Sequence, residues 1–147
     1  MKKLFLSAVV LLLAASTFAN TPTPKISEKA LKAFKETFLD AQNVVWTEEA
    51  NNYQVKFTQQ GINTFVQYDP DGNFISSRRY YAGDKLPLDI QCTLKKKYAD
   101  KTVFGVTELI VGEDVNYYVK MEDAKRWTTV RIDNARNMEV VEKYYKL

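Results

Sequence analysis

The chain has 147 residues, with 21 Lys and Arg against 18 Asp and Glu, one cysteine and no histidine. Its formal net charge is +3, and Lys2 and Lys3 account for most of that. So small a basic excess argues against nucleic-acid binding, and the lack of histidine removes the usual triad relay and commonest general base.

Lys2 and Lys3 form a positive start, and Leu4 to Ala15 is an apolar run broken only by Ser7. Thr17 and Ala19 occupy the small-residue positions of a cleavage site. Residues 1–19 therefore read as a secretory signal peptide, too short for a membrane span of ~20 apolar residues. No cysteine follows the run to carry a lipid. The expected location is periplasmic or secreted, with no membrane span after cleavage. Residues 20–26 carry two prolines and read as a flexible leader.

Ser27 can cap a helix, and Glu28 suits its positive end. Leu31, Phe34, Phe38 and Ala41 then form one apolar stripe, which predicts a helix over 28–39. The period next changes to two. Val44 and Trp46 share a face; so do Tyr53, Val55 and Phe57, and so do Val66 and Tyr68. Such alternation predicts half-buried antiparallel strands at 43–48, 51–58, 63–69 and 73–80. Pro70, Asp71 and Gly72 supply a tight turn between the last two.

Ala82, Gly83 and Asp84 interrupt the pattern, and Pro87 suits the first turn of a second helix. Ile90, Leu94 and Tyr98 recur every four residues, predicting a helix over 88–98. Further strands are expected at 104–111, 114–122, 126–133 and 137–145. The stretch Val66 to Tyr81 returns 64 positions later as Val130 to Tyr145, matching Asp69 with Asp133 and Asn73 with Asn137. The chain is thus a tandem repeat, 27–81 and 82–147, each one helix and four strands. The fold class is α+β in two layers, one compact domain whose repeats share a core.

A family resemblance rests on Phe38 to Trp46, Tyr53 to Phe57, Val66 to Phe74, then Leu86, Pro87, Ile90, Leu94 and Tyr98, in that order after a signal peptide. Together they resemble the beta-lactamase-inhibitor-like, PepSY-like family of small periplasmic proteins. The resemblance implies a fold similar to the beta-lactamase inhibitor protein, with helices on one face of an antiparallel sheet. Leu39 stands where that family often has proline, and the second hairpin lacks the glycine of the first. No catalytic residues carry over, and fold does not carry inhibitory activity.

Each candidate for chemistry has a plainer reading. Cys92 cannot form an internal disulfide, and nothing beyond Lys95 and Lys96 would activate it as a nucleophile. It reads as a buried helix residue. Asp69 to Asn73 invites a calcium reading, but its glycine comes too early and Tyr80 stands where the closing glutamate belongs, so it is a turn. Glu48-Glu49 and Glu113-Asp114 fall in loops that do not bring acid pairs together. No catalytic residue, metal or cofactor is expected.

If Tyr53, Val55, Phe57, Val66 and Tyr68 face the helices, Phe65 faces away. By the repeat offset Tyr118 and Trp127 do too, alongside Lys56, Gln67, Lys120 and Arg131. That mixture suits a protein-binding surface. A one-residue bulge would reverse the parity, and a homodimer would cover the face. The expected function is a non-enzymatic binding or regulatory module whose open sheet face binds a protein or envelope component. The alternative is a small-ligand carrier or sensor using a crevice between the repeats, near Tyr80 to Leu88.

Overall fold

A computed structural model describes residues 24–147. The expected signal peptide and the start of the leader lie outside the described residues. The elements run α1 (Glu28–Thr37), β1 (Gln42–Glu48), β2 (Tyr53–Gln59), β3 (Ile62–Tyr68), β4 (Phe74–Tyr81), a 3-10 turn (Gly83–Lys85), α2 (Leu88–Lys97), β5 (Thr102–Val111), β6 (Asp114–Glu122), β7 (Arg126–Ile132) and β8 (Met138–Tyr145). The eight strands form one sheet in sequence order, with every neighbouring pair antiparallel. Both helices lie on one face.

Local chemistry sets the helix ends. The Ser27 hydroxyl accepts the Ala30 N–H at 3.2 Å, satisfying one of the free donors of the first turn. The Phe38 N–H closes the last turn on the Phe34 carbonyl, so α1 stops short of the expected residue 39. Its buried ridge is Ala30 and Phe34, with Phe38 packed against the same cluster. Leu31, expected in the stripe, is only half-buried, because the i, i+4 row through Ala30 and Phe34 takes the sheet.

The core divides in two rather than being shared. Ala30 and Phe34 pack on Val55, Phe57, Val66 and Tyr68. Ile90 and Leu94 of α2 pack on Val106, Tyr117, Val119, Met121, Val130 and Ile132. Between the clusters, the inner face of β3, β4 and β5 carries buried Thr64, Ser77 and Glu108. The continuous hydrogen-bonded seam joins the repeats there, with Arg79 opposite Glu108 and Tyr80 opposite Thr107.

The repeated hairpins clasp the helices. The Asp69 carboxylate accepts the N–H groups of Asp71 and Asn73 and the Asn73 side-chain amide. Asp133 accepts the corresponding N–H and side-chain amide of Asn137. Gly72 and Arg136, one repeat apart, both take positive φ, +84° and +68°. Lys29 of α1 donates to Asp71 at 2.6 Å, whereas Arg136 donates to Asp89 of α2 at 2.7 Å. The second turn therefore keeps its geometry without glycine, and the charges of the clasp are exchanged between loop and helix.

Cys92 is exposed, not buried. It lies midway between the buried Ile90 and Leu94, two residues from each, and so on the opposite side of α2.

Candidate functional site

Strand parity builds a broad face free of helices. Register pairs Lys56 with Phe65 and Phe65 with Arg78. It also pairs Tyr118 with Arg131, and Trp127 with Tyr144. Residues directly opposite on one face of a sheet lie within side-chain contact. All seven residues singled out in the sequence lie on this outer face, because they alternate with the buried rows Val55–Val66 and Val119–Val130.

Two aromatic and cationic clusters result. In the first, the Phe65 ring has the Lys56 ammonium 5.6 Å and the Arg78 guanidinium 5.2 Å from its centroid. Tyr80 meets Phe65 edge to face at 6.0 Å. Gln67 borders this cluster and accepts the Ser76 hydroxyl proton at 2.8 Å. In the second, Trp127 meets Phe104 edge to face at 4.9 Å. Lys120 stands 4.9 Å from the Trp127 ring and 5.5 Å from Tyr144. The cross-strand row Tyr80–Thr107–Tyr118–Arg131 connects the clusters. Arg131 donates to Glu139 at 2.8 Å, so its charge is partly spoken for.

Arg78, Tyr80, Phe104 and Tyr144 belong to the same face and were absent from the sequence set. Arg78 and Tyr80 follow from the β3–β4 register, but a bulge at Ile75 shifts it. Phe104 is the unpaired residue of a second bulge, between Val103 and Gly105, and is 63% exposed. Another bulge, at Val141, displaces β8 before Tyr144. Each bulge inserts one residue and breaks the alternation that parity relies on.

The face is contoured. Phe104, Tyr118, Lys120 and Val141 border a hollow of about 430 Å³, and Phe65, Gln67 and Arg78 border one of about 180 Å³. Among the described residues, Lys56, Arg78 and Lys120 take part in none of the ion pairs. Ring faces lie beside all three, and these attract cations without neutralising them. No group of three His, Cys, Asp or Glu side chains suited to a metal occurs among the described residues. No helix of the described residues is long and apolar enough to cross a membrane. The repeat junction carries its own hollow of about 630 Å³, bounded by Gly83, Leu86, Leu94 and Val103.

No protein-family profile and no curated protein matches the chain. Solved structures do. A BLIP-like protein from Bacteroides fragilis superposes with a TM-score of 0.63 at 15% identity, over 86% of this chain and 90% of that one. A DUF2874 family protein from Bacteroides ovatus gives 0.60 at 14% identity, over 83% and 89%. A protein from Bacteroides eggerthii, provisionally described as periplasmic, gives 0.59 at 16% identity, over 83% and 90%. At such identities the agreement concerns architecture. Two helices on one side of an eight-stranded antiparallel meander give this chain the BLIP-like α+β fold.

Proposed function

We propose that the chain is an exported, non-enzymatic binding or regulatory module whose helix-free sheet face engages a protein or envelope component. The observation that carries this is the concentration of Phe65, Tyr80, Phe104, Tyr118, Trp127 and Tyr144 on one face with cations that lack acidic partners. Aromatic residues and arginine dominate the energetics of protein interfaces, and unpaired cations add orientation and speed of encounter with an acidic surface. The signal-peptide pattern and the periplasmic description of one structural neighbour support action outside the cytoplasm.

The double variant Trp127→Ala, Tyr118→Ala tests the face. Both side chains lie outside the two apolar cores, so circular dichroism should remain native. Capture of a defined partner from the organism's own envelope fraction should weaken by ~30-fold or more, the usual loss at an interface hot spot. Binding should also fall as salt rises. Unchanged capture by a folded variant refutes the face.

A further inference from the structure

On the opposite, helix-bearing side of the sheet, we propose that the polar strip between the two cores is a small-molecule site. It would take an amphiphile with a carboxylate head and an apolar body. It is a different place from the junction crevice near Tyr80 to Leu88, and it is independent of the outer face, because the two sites lie on opposite sides of the sheet.

The strip is a crevice of about 590 Å³ beside α1. Pockets of ~300–1,000 Å³ are the usual size for small ligands. Its position follows from the packing. α1 covers β1 to β3 and α2 mainly β5 to β7, so of the inner face of β4 only its end at Tyr81 packs against a helix cluster. Thr64 and Ser77 stand there where larger apolar residues would close the gap. Phe38, Val66, Phe74 and Ile110 make the walls apolar.

The floor is charged. Glu108 is 7% exposed, and one of its oxygens accepts from Arg79 at 3.1 Å. The other accepts from the Tyr81 hydroxyl at 2.6 Å. Burial, and then this bond to Glu108, push the Tyr81 phenol far above its ordinary range, so it stays a donor. Each Glu108 oxygen thus holds one donor, and its charge is paired with Arg79.

Arg79 is different. Its side chain is 39% exposed, and only one of its N–H groups is bonded to Glu108. A guanidinium carries five donors in a rigid fork, so it can serve a second carboxylate while holding the first. Glu108 and Tyr81 fix it in place, and the apolar walls lower the competition from water. The remaining donors therefore select an anionic acceptor, and the walls select what is attached to it. A cationic head would meet the guanidinium charge, and an alcohol would gain a weaker, uncharged bond.

An NMR titration of the purified chain with decanoate, decanol and decyltrimethylammonium tests this. Decanoate should give saturable shifts at the amides of Thr64, Ser77 and Arg79, with affinity ~10-fold or more above that of decanol. Arg79→Gln should erase the preference for decanoate over decanol. Thr37→Trp, at an exposed residue on the crevice rim, should block both ligands with the fold intact. It keeps the test decisive if Arg79→Gln fails to fold. The proposal is overturned by absence of saturable shifts below the micellar concentration, by equal affinity for all three amphiphiles, or by unchanged binding to Thr37→Trp. Shifts confined to Phe65, Tyr118 and Trp127 overturn it as well, by moving the ligand to the outer face. Failure of the outer-face variant to weaken partner capture leaves this outcome untouched, so the two readings fail separately.

Discussion

Gly72→Ala separates the role of the first hairpin turn from the general cost of a left-handed residue. Gly72 has φ +84°, and a Cβ built on it would lie 2.7 Å from the Lys29 carbonyl oxygen and 2.8 Å from its carbon. Gly61 has φ +75°, with nothing within 4 Å of the same added atom. Both substitutions place alanine in the left-handed region, at roughly 1–2 kcal/mol. Only Gly72→Ala must also push the turn off α1, and overpacking of this kind costs about 1–3 kcal/mol. The displaced turn loses the Lys29–Asp71 contact too, but both groups are exposed and the pair contributes little. Gly72→Ala should therefore be less stable than Gly61→Ala by ~1–3 kcal/mol, or roughly 3–10 °C in midpoint for a domain of this size. Urea unfolding followed by tryptophan fluorescence measures the difference at unchanged slope. Equal stability of the two variants would show that the turn does not bear on the helix, and the clasp would be an incidental contact.

Cys92, being exposed on α2, should react with a bulky maleimide in native buffer as fast as in denaturant; slow native labelling would return it to the interior. Tyr81→Phe should cost ~1–3 kcal/mol, because it leaves one oxygen of the buried Glu108 without a donor. A loss below a few tenths of a kcal/mol by urea unfolding would argue against a closed floor to the crevice, ~1 kcal/mol being the ordinary value of one hydrogen bond. The Asp123 carboxyl is held well below its ordinary 3.8, first by the Lys101 ammonium and then by the Lys125 N–H. A depressed acid stabilises the folded chain fully above the unfolded value, and that stabilisation is lost as pH falls through the folded value. Asp123→Asn should thus melt several degrees lower at neutral pH, with the gap closing below about pH 3. A gap that stays constant down to about pH 2 would contradict the assignment.

Much of the architecture was legible because two periods dominate. Tyr53, Val55 and Phe57 alternate as Tyr117, Val119 and Met121 do, and both sets lie under helices. The spacing of Ile90 and Leu94 located α2, and the same spacing placed Cys92 on its far side. The burial expected for Cys92 followed the general habit of free thiols, and helix geometry outweighed it. Parity failed where a residue was added. Phe104 sits in a bulge, and no alternation pattern assigns a bulged residue to a face. The second turn was harder in another way. The sequence showed a second hairpin without glycine but not how it closes: Asp133 and Asn137 retain the side-chain bonds, and Arg136 accepts positive φ while pairing with Asp89. A repeat can thus preserve a hydrogen-bond pattern while its backbone permissiveness drifts.

The division of the core follows from what alternation cannot report. Thr64, Ser77, Arg79 and Glu108 occupy inward positions in step with their apolar neighbours, but their polarity makes them look like surface residues. Only the sheet register shows that Arg79 and Glu108 face each other beneath the gap between two short helices. A 10-residue helix covers about three strands, so two of them leave the middle of an eight-stranded sheet open. Polar groups line that opening: Thr64, Ser77 and the Arg79–Glu108 pair, of which Arg79 stays 39% exposed. The outer aromatic face and the inner charged crevice therefore meet at the same seam. Tyr80 points outward and Tyr81 inward on β4, so neighbouring residues of one strand contribute to the two faces.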